Sequence, residues 1–390
     1  MNAGAMRRPA RWWLALLLAW LAAVAQAQNE PPARVGRIAA VEGQVWLYDA
    51  ETRGWVAAAR NRPFTQGERL AVSAGAAAEL QIGATALRLD GDTEVEATRL
   101  DDERLQFALL RGSIGVRLHA ADVASEFELV TPEARFQALR AGLYRVDRAG
   151  ETSSASNWRG LLRASTRELV LTLEPGQRLE LGADAGNASV RWSRPLDDAF
   201  ATALLRDAEQ AGSTPEFVSP EMTGVTELAR HGTWQQHPDY GWAWTPSVVS
   251  AQWAPYRQGQ WVWMQPWGWT WVDAAPWGFA PFHYGRWFWW TNRWYWTPGP
   301  LHTRPVYAPA LVGWVGGAPQ PYAGIGSPPM PSWGWLPLGP REAYRPGYAV
   351  HPRHLPRLNP HAPAGPLPPP SFVNRGVPGA VTLPNTPGFA

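Results

Sequence analysis

The segment between Gly232 and Pro300 contains fifteen tryptophans and neither leucine nor isoleucine. Its only large aliphatic residues are four valines and one methionine. A unit of this length must bury apolar surface in order to fold, so indole rings have to supply most of its core. Each buried Trp removes on the order of 200 Å² from water, which stabilises the fold by roughly 5 kcal/mol at most. We therefore expect most of these tryptophans to be structural.

Tryptophan recurs at alternate positions in this segment, as in Trp242/Trp244, Trp261/Trp263, Trp267/Trp269/Trp271 and Trp287/Trp289. Alternate residues of a strand face the same side, so each set predicts an aromatic stripe on one face of a sheet. The string APYRQGQWVW at 254–263 returns as APFHYGRWFW at 280–289, a period of 26 residues that suits a repeated hairpin. We expect a Trp-rich β-meander repeat domain over residues 232–350.

Fifteen indoles are more than so small a core can hide, because both faces of the strand at 287–290 are aromatic. An exposed aromatic patch marks a binding surface, and flat rings stack on the apolar faces of sugars. The candidate ligand-contact residues are Trp267, Trp269, Trp271, Trp287, Trp289 and Asp273. Membrane insertion would need a closed barrel of about ten-residue strands, and these strands are too short and too often broken by Gly and Pro.

Residues 1–27 are predicted to be a secretory signal peptide. A positive region with three arginines precedes the apolar run 12–24, and Ala25-Gln26-Ala27 is a small-residue cleavage site. An uncleaved anchor is the alternative, but the apolar run is short for a membrane span of about 20 residues. The chain has no cysteine, which excludes disulfides, thiol chemistry and a lipid anchor on cysteine. We expect an exported protein, periplasmic or at the cell surface, with no membrane span after cleavage.

Residues 34–182 show the alternation of half-buried strands, with glycine-containing turns between them. About ten such strands can enclose a β-sandwich or roll. The strings GRIAAVEGQVWLYD, LLRGSIGVRL and FELVTPEARFQALRAGLYRV resemble a FecR domain. The resemblance implies a periplasmic β domain, which in FecR itself belongs to a protein that acts on a sigma factor. Since only a signal peptide precedes the domain here, we expect the sigma-factor role not to apply.

The two remaining segments are a joint and a tail. Residues 196–211 have the apolar spacing of an amphipathic helix, and Asp197 and Asp198 suit its N-terminus. This short linking helix opens a linker over 196–231. Proline-rich composition predicts a disordered tail over 351–390. The fold class is therefore all-β with one short helix.

The strings GYGWAWTPSV and PWGWTWVDAAPWGFAPFHYGRW resemble a Trp-rich domain of unknown function. Domains of that kind follow FecR-like domains in secreted proteins of Gram-negative bacteria. The resemblance spans roughly residues 216–350. It implies an envelope location and this two-part architecture, and it carries no activity.

Charge is divided along the chain. Residues 28–231 carry 23 Arg and 30 acidic residues, and residues 232–390 carry 9 Arg and 3 acidic residues, so the two parts have formal charges of −7 and +6. The halves could attract one another, or the C-terminal half could meet an anionic envelope polymer. A Trp- and Pro-rich segment with few acids gives the same balance without either role.

No catalytic signature is present. The chain lacks H-E-x-x-H, G-x-S-x-G and P-loop motifs, and prolines interrupt the nearest metal pair, His351/His354. We expect no metal, no cofactor and no enzyme activity. Nucleic-acid binding would need a basic stripe among the aromatics, and the Trp-rich segment has only three arginines between Gly232 and Pro300.

Three hypotheses for the function follow. The first is a non-catalytic envelope protein that binds glycan or another envelope protein through exposed tryptophans. The second is a periplasmic sensing or signalling partner that acts through the FecR-like domain. The third is a glycan hydrolase, which needs two carboxylates at a defined separation, with Asp239 and Asp273 as the candidates.

Overall fold

The computed structural model describes residues 31–49, 52–184, 187–211, 214–250, 252–301, 304–316, 334–360 and 372–384. The predicted signal peptide at 1–27 lies outside these ranges, as do residues 361–371 and 385–390 of the predicted tail. The described chain consists mainly of short strands, with five short α-helices. This confirms the predicted all-β class.

Seventeen strands form the first region. They are β1 (Gly36–Glu42), β2 (Val45–Asp49), β3 (Gly54–Ala57), β4 (Pro63–Phe64), β5 (Arg69–Val72), β6 (Ala77–Ile82), β7 (Thr85–Leu89), β8 (Glu94–Leu100), β9 (Leu105–Leu118), β10 (Phe127–Val130), β11 (Arg135–Ala138), β12 (Gly142–Ala149), β13 (Thr152–Arg159), β14 (Leu162–Ser165), β15 (Val170–Leu173), β16 (Gln177–Asp184) and β17 (Asn187–Ser193).

The long strand β9 joins two sheets. Its first half pairs with β8 and, in parallel, with β10, whereas its second half pairs with β7 and β12. One sheet has the order β17-β16-β13-β12-β9-β7-β6-β1-β4. The other has the order β3-β2-β5-β8-β9-β10-β11-β14-β15. Inward residues of both sheets, such as Leu47 and Leu87, form one buried cluster, as in the predicted sandwich.

Two helices belong to the first region. Helix α1 (Ala121–Glu126) lies between β9 and β10, and α2 (Ala199–Gln210) is the predicted linking helix. Asp198 caps α2 by accepting a hydrogen bond from Ala201 N at 2.8 Å, as expected for an acid at a helix N-terminus. Arg145 of β12 also binds the Asp198 carboxylate at 2.7 Å, which fastens the helix to the sheet.

The second region begins after a 3₁₀ turn (Val225–Glu227), and its described residues form eight strands and three helices. The helices are α3 (Leu228–His231), α4 (Ala280–His283) and α5 (Leu355–Leu358), and a second 3₁₀ turn spans Val373–Gly376. The strands are β18 (Gly232–His237), β19 (Gly241–Pro246), β20 (Gly259–Met264), β21 (Gly268–Asp273), β22 (Arg286–Trp290), β23 (Arg293–Thr297), β24 (Val312–Val315) and β25 (Gly334–Pro337). None of the described helices is long and apolar enough to cross a membrane.

These eight strands form one four-stranded sheet, β18-β19-β23-β22, and two hairpins, β20–β21 and β24–β25. Tryptophans oppose each other across the paired strands. The pairs are Trp234/Trp244, Trp261/Trp271, Trp263/Trp269, Trp287/Trp296, Trp289/Trp294 and Trp314/Trp335. Eight of the fifteen tryptophans between Gly232 and Pro300 are buried, six are half-buried and one is exposed. Indoles therefore provide most of the core, as the lack of leucine and isoleucine predicted.

The internal repeat brings its equivalent aromatic residues into contact. Tyr256 and Phe282 occupy the same position in the two copies, and their rings meet edge to face at 4.9 Å. The Tyr256 hydroxyl donates to Phe282 O at 2.7 Å. The copies differ locally, because Tyr256 has a left-handed backbone (φ 60°) whereas Phe282 lies in α4. The sequence repeat therefore predicts the spacing of the hairpins, but the two copies differ in backbone conformation.

The two regions are joined through buried polar contacts. Asn61, which is fully buried, donates from Nδ2 to the carbonyls of Asp273 and Ala275 at 3.0 and 2.6 Å. Thr223 accepts from Gly83 N and donates to Val35 O. Because these groups are buried from water, a bond that failed to form would leave a polar group unpaired at the junction of the two regions.

The described parts of the tail differ from the predicted disorder. Asn374 is 2% exposed, and its Nδ2 donates to the carbonyls of Trp287 and Pro337. Thr382 forms a β-bridge with Trp335. This segment has few apolar residues, and hydrogen bonds to the backbone of neighbouring strands hold it in place. Such bonds cannot be predicted from amino-acid composition.

We predict that Asn61→Gly lowers the free energy of unfolding by about 2 kcal/mol or more, because two buried carbonyls lose their donor. Glycine retains the left-handed backbone of Asn61 (φ 63°), so the change isolates the amide. Arg53→Gly is the matched control, since Arg53 is also left-handed (φ 53°) but exposed. Urea unfolding of both variants measures the difference, and equal stability of the two would contradict the assignment.

Candidate functional site

The hairpin β20–β21 presents its tryptophans at different depths. Trp261 and Trp271, which oppose each other far from the turn, are 8% and 0% exposed. Trp263 and Trp269 oppose each other beside the turn and are half-buried, with their rings edge to face at 5.5 Å. The difference arises because Trp335 and Trp314 cover Trp261, with ring centroids 5.4 and 5.1 Å away. The turn end of the hairpin therefore carries the accessible indoles.

A groove with a volume of about 1240 Å³ lies between this turn and the turn that joins β8 to β9. We call it the inter-region groove. Its aromatic wall consists of Trp263, Trp267, Trp269 and Trp314. Small-molecule sites typically enclose about 300–1,000 Å³, so the inter-region groove suits an elongated ligand better than a single small ring.

The opposite wall is acidic and belongs to the first region. Asp101 accepts hydrogen bonds from Glu103 N and Arg104 N at 2.8 Å and from Arg99 Nε at 2.5 Å. Burial alone would raise the pKa of Asp101, but the bonds from Arg99 and the two amides outweigh it and lower the pKa. Asp101 is therefore an ionised acceptor at neutral pH.

Asp102 closes one end of the inter-region groove. Its Oδ1 accepts from Ala33 N at 2.7 Å, and its Oδ2 lies 3.1 Å from both Arg353 Nη2 and His354 Nε2. Burial would raise the pKa of Asp102, yet the His354 hydrogen bond and the amides of Ala33 and Arg34 lower it to about 2. One carboxylate thus ties the start of the described chain, the β8–β9 turn and the tail together.

Trp267 has a buried donor without a partner. It is 6% exposed, and its Nε1 makes no hydrogen bond to any described residue. Several other buried indoles are satisfied, since Trp287 and Trp296 donate to the carbonyls of Pro281 and Tyr284 at 2.8 Å, whereas the Nε1 of Trp261 also makes no hydrogen bond to a described residue. A buried polar group left unpaired in this way needs an explanation, and Trp267 lines the inter-region groove.

The structure divides the six predicted ligand-contact residues into three groups. Trp267 and Trp269 lie together in the inter-region groove. Trp271 and Asp273 are buried side by side below it, with the Trp271 Nε1 donating to Asp273 Oδ2 at 3.0 Å. The third group, Trp287 and Trp289, lies in the four-stranded sheet.

Trp271 and Trp287, at 0% and 1% exposure, offer no surface to a ligand. The reason is local tertiary cover, because Trp335 packs on Trp271 and Trp253 packs on Trp287, with ring centroids 6.3 and 5.5 Å apart. Trp289 is half-buried and packs edge to face on Trp294 at 5.6 Å. Ligand contact at Trp289 stays a prediction.

Asp273 has a structural position. It is 4% exposed, and its Oδ1 accepts from Ala275 N at 2.9 Å. Burial raises the pKa of Asp273 to about 7, and the bonds from Ala275 and Trp271 offset only part of that effect. Asp239, the other carboxylate of the hydrolase hypothesis, is exposed at the β18–β19 turn, and neither acid lines the inter-region groove.

Sequence analysis missed several groove residues. Trp263 could have been predicted as a groove residue from its place in an alternating Trp set. Trp314 could have been predicted from the high tryptophan content of the segment. Tyr348, Asp101 and Asp102 carried no local signal, because they reach the inter-region groove only through packing of distant segments.

Comparison with known proteins gives one family match. Residues 225–342 match a family described as a family of unknown function, DUF6600. The match covers less than a third of the chain and falls within the range of the predicted Trp-rich domain of unknown function. No match was found among curated proteins.

Two solved structures are similar to the chain, both of a candidate anti-sigma factor from Parabacteroides distasonis ATCC 8503. The first is 18% identical and covers 35% of this chain and 63% of its own, with a TM-score of 0.30. The second is 17% identical and covers 39% of this chain and 68% of its own, also with a TM-score of 0.30. Similarity at this level carries no conclusion, so the FecR-like resemblance of residues 35–182 stays a prediction.

We predict that Asp273 makes the protein less stable as pH rises. Its pKa is about 7 in the folded state against an ordinary value of 3.8, so the folded state retains a proton that the unfolded state loses. Between roughly pH 4 and pH 7 this site should lower the free energy of unfolding by at most about 1.4 kcal/mol per unit. Asp273→Asn removes the titrating group and should remove that contribution.

Urea unfolding of the wild type and the variant at several pH values tests this. Asp239→Asn, which changes an exposed acid of the same region, is the control. An unchanged pH dependence in Asp273→Asn would contradict the burial of an ionisable carboxyl at this position.

Proposed function

We propose that the protein is a non-catalytic binding protein of the cell envelope that holds a glycan chain in the inter-region groove. The observation that carries the proposal is the unpartnered indole N–H of Trp267 in a wall of half-buried tryptophans. Indole faces suit the C–H faces of sugar rings. The Trp267 N–H is shielded from solvent in the folded chain. A shift of the ring towards a bound ligand would let this N–H donate to a sugar oxygen, which would remove the cost of leaving it unpaired.

The acidic wall complements the aromatic one. Ionised Asp101 and exposed Glu103 accept hydrogen bonds from hydroxyl groups, which every sugar ring offers in several directions. Both acids are paired with Arg99, so the wall is polar without a large excess of charge. This composition favours a neutral, hydroxyl-rich ligand over a cation.

The protonation state of the carboxylates in the inter-region groove favours binding without hydrolysis. A glycosidase needs a general acid whose pKa is raised toward neutrality. The pKa values of Asp101 and Asp102 are instead lowered, and the raised carboxyl of Asp273 is buried away from the inter-region groove. The residues present therefore support binding alone.

Export to the periplasm or the cell surface belongs to the same proposal. It is supported by the signal-peptide pattern of residues 1–27 and by the absence of cysteine from the sequence. No specific contact among the described residues favours an envelope protein as the ligand. The same holds for a signalling role of the first region.

We predict that Trp269→Ala weakens binding of isolated peptidoglycan or a neutral polysaccharide at least about tenfold, the effect of losing a contact residue at the centre of a site. Trp192→Ala is the matched control, because Trp192 is 46% exposed on β17 and lies outside the inter-region groove. Retention of the purified protein on each polymer, with Trp emission as the readout, measures the affinity. No saturable retention on any glycan, or equal losses in the two variants, would overturn the proposal.

A further inference from the structure

Arg286, on β22, is a buried cation without a carboxylate within salt-bridge distance among the described residues. Its side chain donates to the carbonyls of Glu342, Gly285 and Leu358 and to Asn359 Oδ1, at 2.8 to 3.3 Å. These bonds use four of its five N–H groups, which leaves one on Nη1. Burial lowers the pKa of Arg286 to about 10, so the group stays charged at neutral pH.

A buried charge held only by neutral dipoles is costly compared with one that meets an opposite charge. Carbonyl oxygens reduce this cost without cancelling the charge. A site that keeps such a cation beside open space has the electrostatics of an anion receptor.

Open space is present beside Arg286. A cavity with a volume of about 50 Å³, which we call the arginine pocket, lies between the β22–β23 sheet and residues 357–360. On the same measure one water needs about 10–15 Å³, so the arginine pocket has room for a molecule the size of acetate or propionate. It shares no lining residue with the inter-region groove.

Arg357 is a second cation at the arginine pocket. Its half-buried side chain makes no hydrogen bond or ion pair with the part of the chain that the structure describes. The one acid among the lining residues, Glu342, accepts from Gly339 N and Val373 N at 2.6 Å through its two oxygens. It keeps its charge but forms no ion pair with either arginine, so two guanidinium groups border one cavity whose described lining contains a single carboxylate.

We propose that the arginine pocket binds a small organic monocarboxylate between Arg286 and Arg357. The carboxylate oxygens would accept from the remaining Nη1 hydrogen of Arg286 and from the Arg357 fork, which matches carboxylate geometry. The hydrocarbon part would lie against the apolar lining residues Phe217, Val218, Met222, Leu301, Val306 and Leu311.

The lining also explains why a phosphate is a poorer fit. A dianion needs many donors, and further polar side chains of the lining are already engaged. Thr297 donates to Tyr240 O, and Asn359 Nδ2 donates to Tyr344 O. An apolar wall on one side and a cationic end on the other matches a short acyl chain that ends in a carboxylate.

Saturation-transfer NMR on sodium propionate with the purified protein tests the proposal, with ionic strength held constant by sodium chloride. We expect saturable transfer to propionate and none to propionamide, which has the same shape without the charge. Arg357→Gln should weaken binding at least about tenfold, because a charge-assisted hydrogen bond is lost. This side chain has no partner to disrupt, so the variant should fold.

Arg375→Gln is the matched control, since Arg375 is exposed and outside the arginine pocket. It removes the same charge and should bind propionate as the wild type does. The proposal is overturned by any of three results: no saturable transfer up to tens of millimolar, equal transfer to propionamide, or unchanged binding in Arg357→Gln. Stronger competition by inorganic phosphate than by acetate would overturn the carboxylate class. None of these results depends on glycan binding.

Discussion

A core made of tryptophan buries many indole N–H groups, and the acceptors of several of them shape the second region, although the Nε1 of Trp261 has no partner among the described residues. Trp244 donates to Leu228 O of α3, Trp287 to Pro281 O of α4, and Trp335 to Tyr256 O. Each acceptor is a backbone carbonyl at a helix or a turn rather than in a strand ladder, where carbonyls are already used. The short helices and turns between hairpins are therefore part of the core chemistry.

Accessible indole surface separates the core from the site. Where a carbonyl meets the indole, as at Trp296 and Tyr284, the ring is fixed and inaccessible. At the turn end of β20–β21 no described residue accepts from the Trp267 N–H, and the neighbouring Trp263 and Trp269 are half-buried. The inter-region groove is thus lined by accessible indole surface next to a buried indole N–H that has no acceptor among the described residues.

The opposite net charges of the two halves are reflected in ion pairs at their junction. Arg304 of the second region binds Glu126 of α1 and donates to Asp102 O, and Arg353 binds the Asp102 carboxylate. These pairs hold the tail and the β8–β9 turn together at one end of the inter-region groove. The groove walls consequently depend on contacts between segments that lie far apart in the chain.

Much of the second region follows from its sequence. Trp263 and Trp269 stand three residues on either side of Pro266, and Trp261 and Trp271 stand five, which is also their register in the hairpin. The burial of each ring cannot be predicted from the sequence, because all members of an alternating Trp set have the same local pattern. Only packing against Trp314 and Trp335 buries Trp261 and Trp271.

Other features are invisible to local patterns for a physical reason. Asn61 and Asp102 have ordinary turn identities, and their roles come from partners more than 200 residues away. The tail was predicted as disordered because composition measures apolar content, whereas His354 and Asn374 hold it by polar contacts. For the first region, the alternation of apolar and polar residues was enough to predict the two-sheet fold. The core of such a fold requires only that the inward face of each strand is apolar.

The most direct test of the account is a ¹H–¹⁵N spectrum of the indole N–H groups during titration with soluble peptidoglycan fragments and a neutral oligosaccharide. The account predicts saturable shifts for Trp267 and its groove neighbours Trp263, Trp269 and Trp314, while the core indoles of Trp287 and Trp296 stay unchanged. Shifts confined to surface residues such as Trp192, or no shift with any glycan, would contradict it.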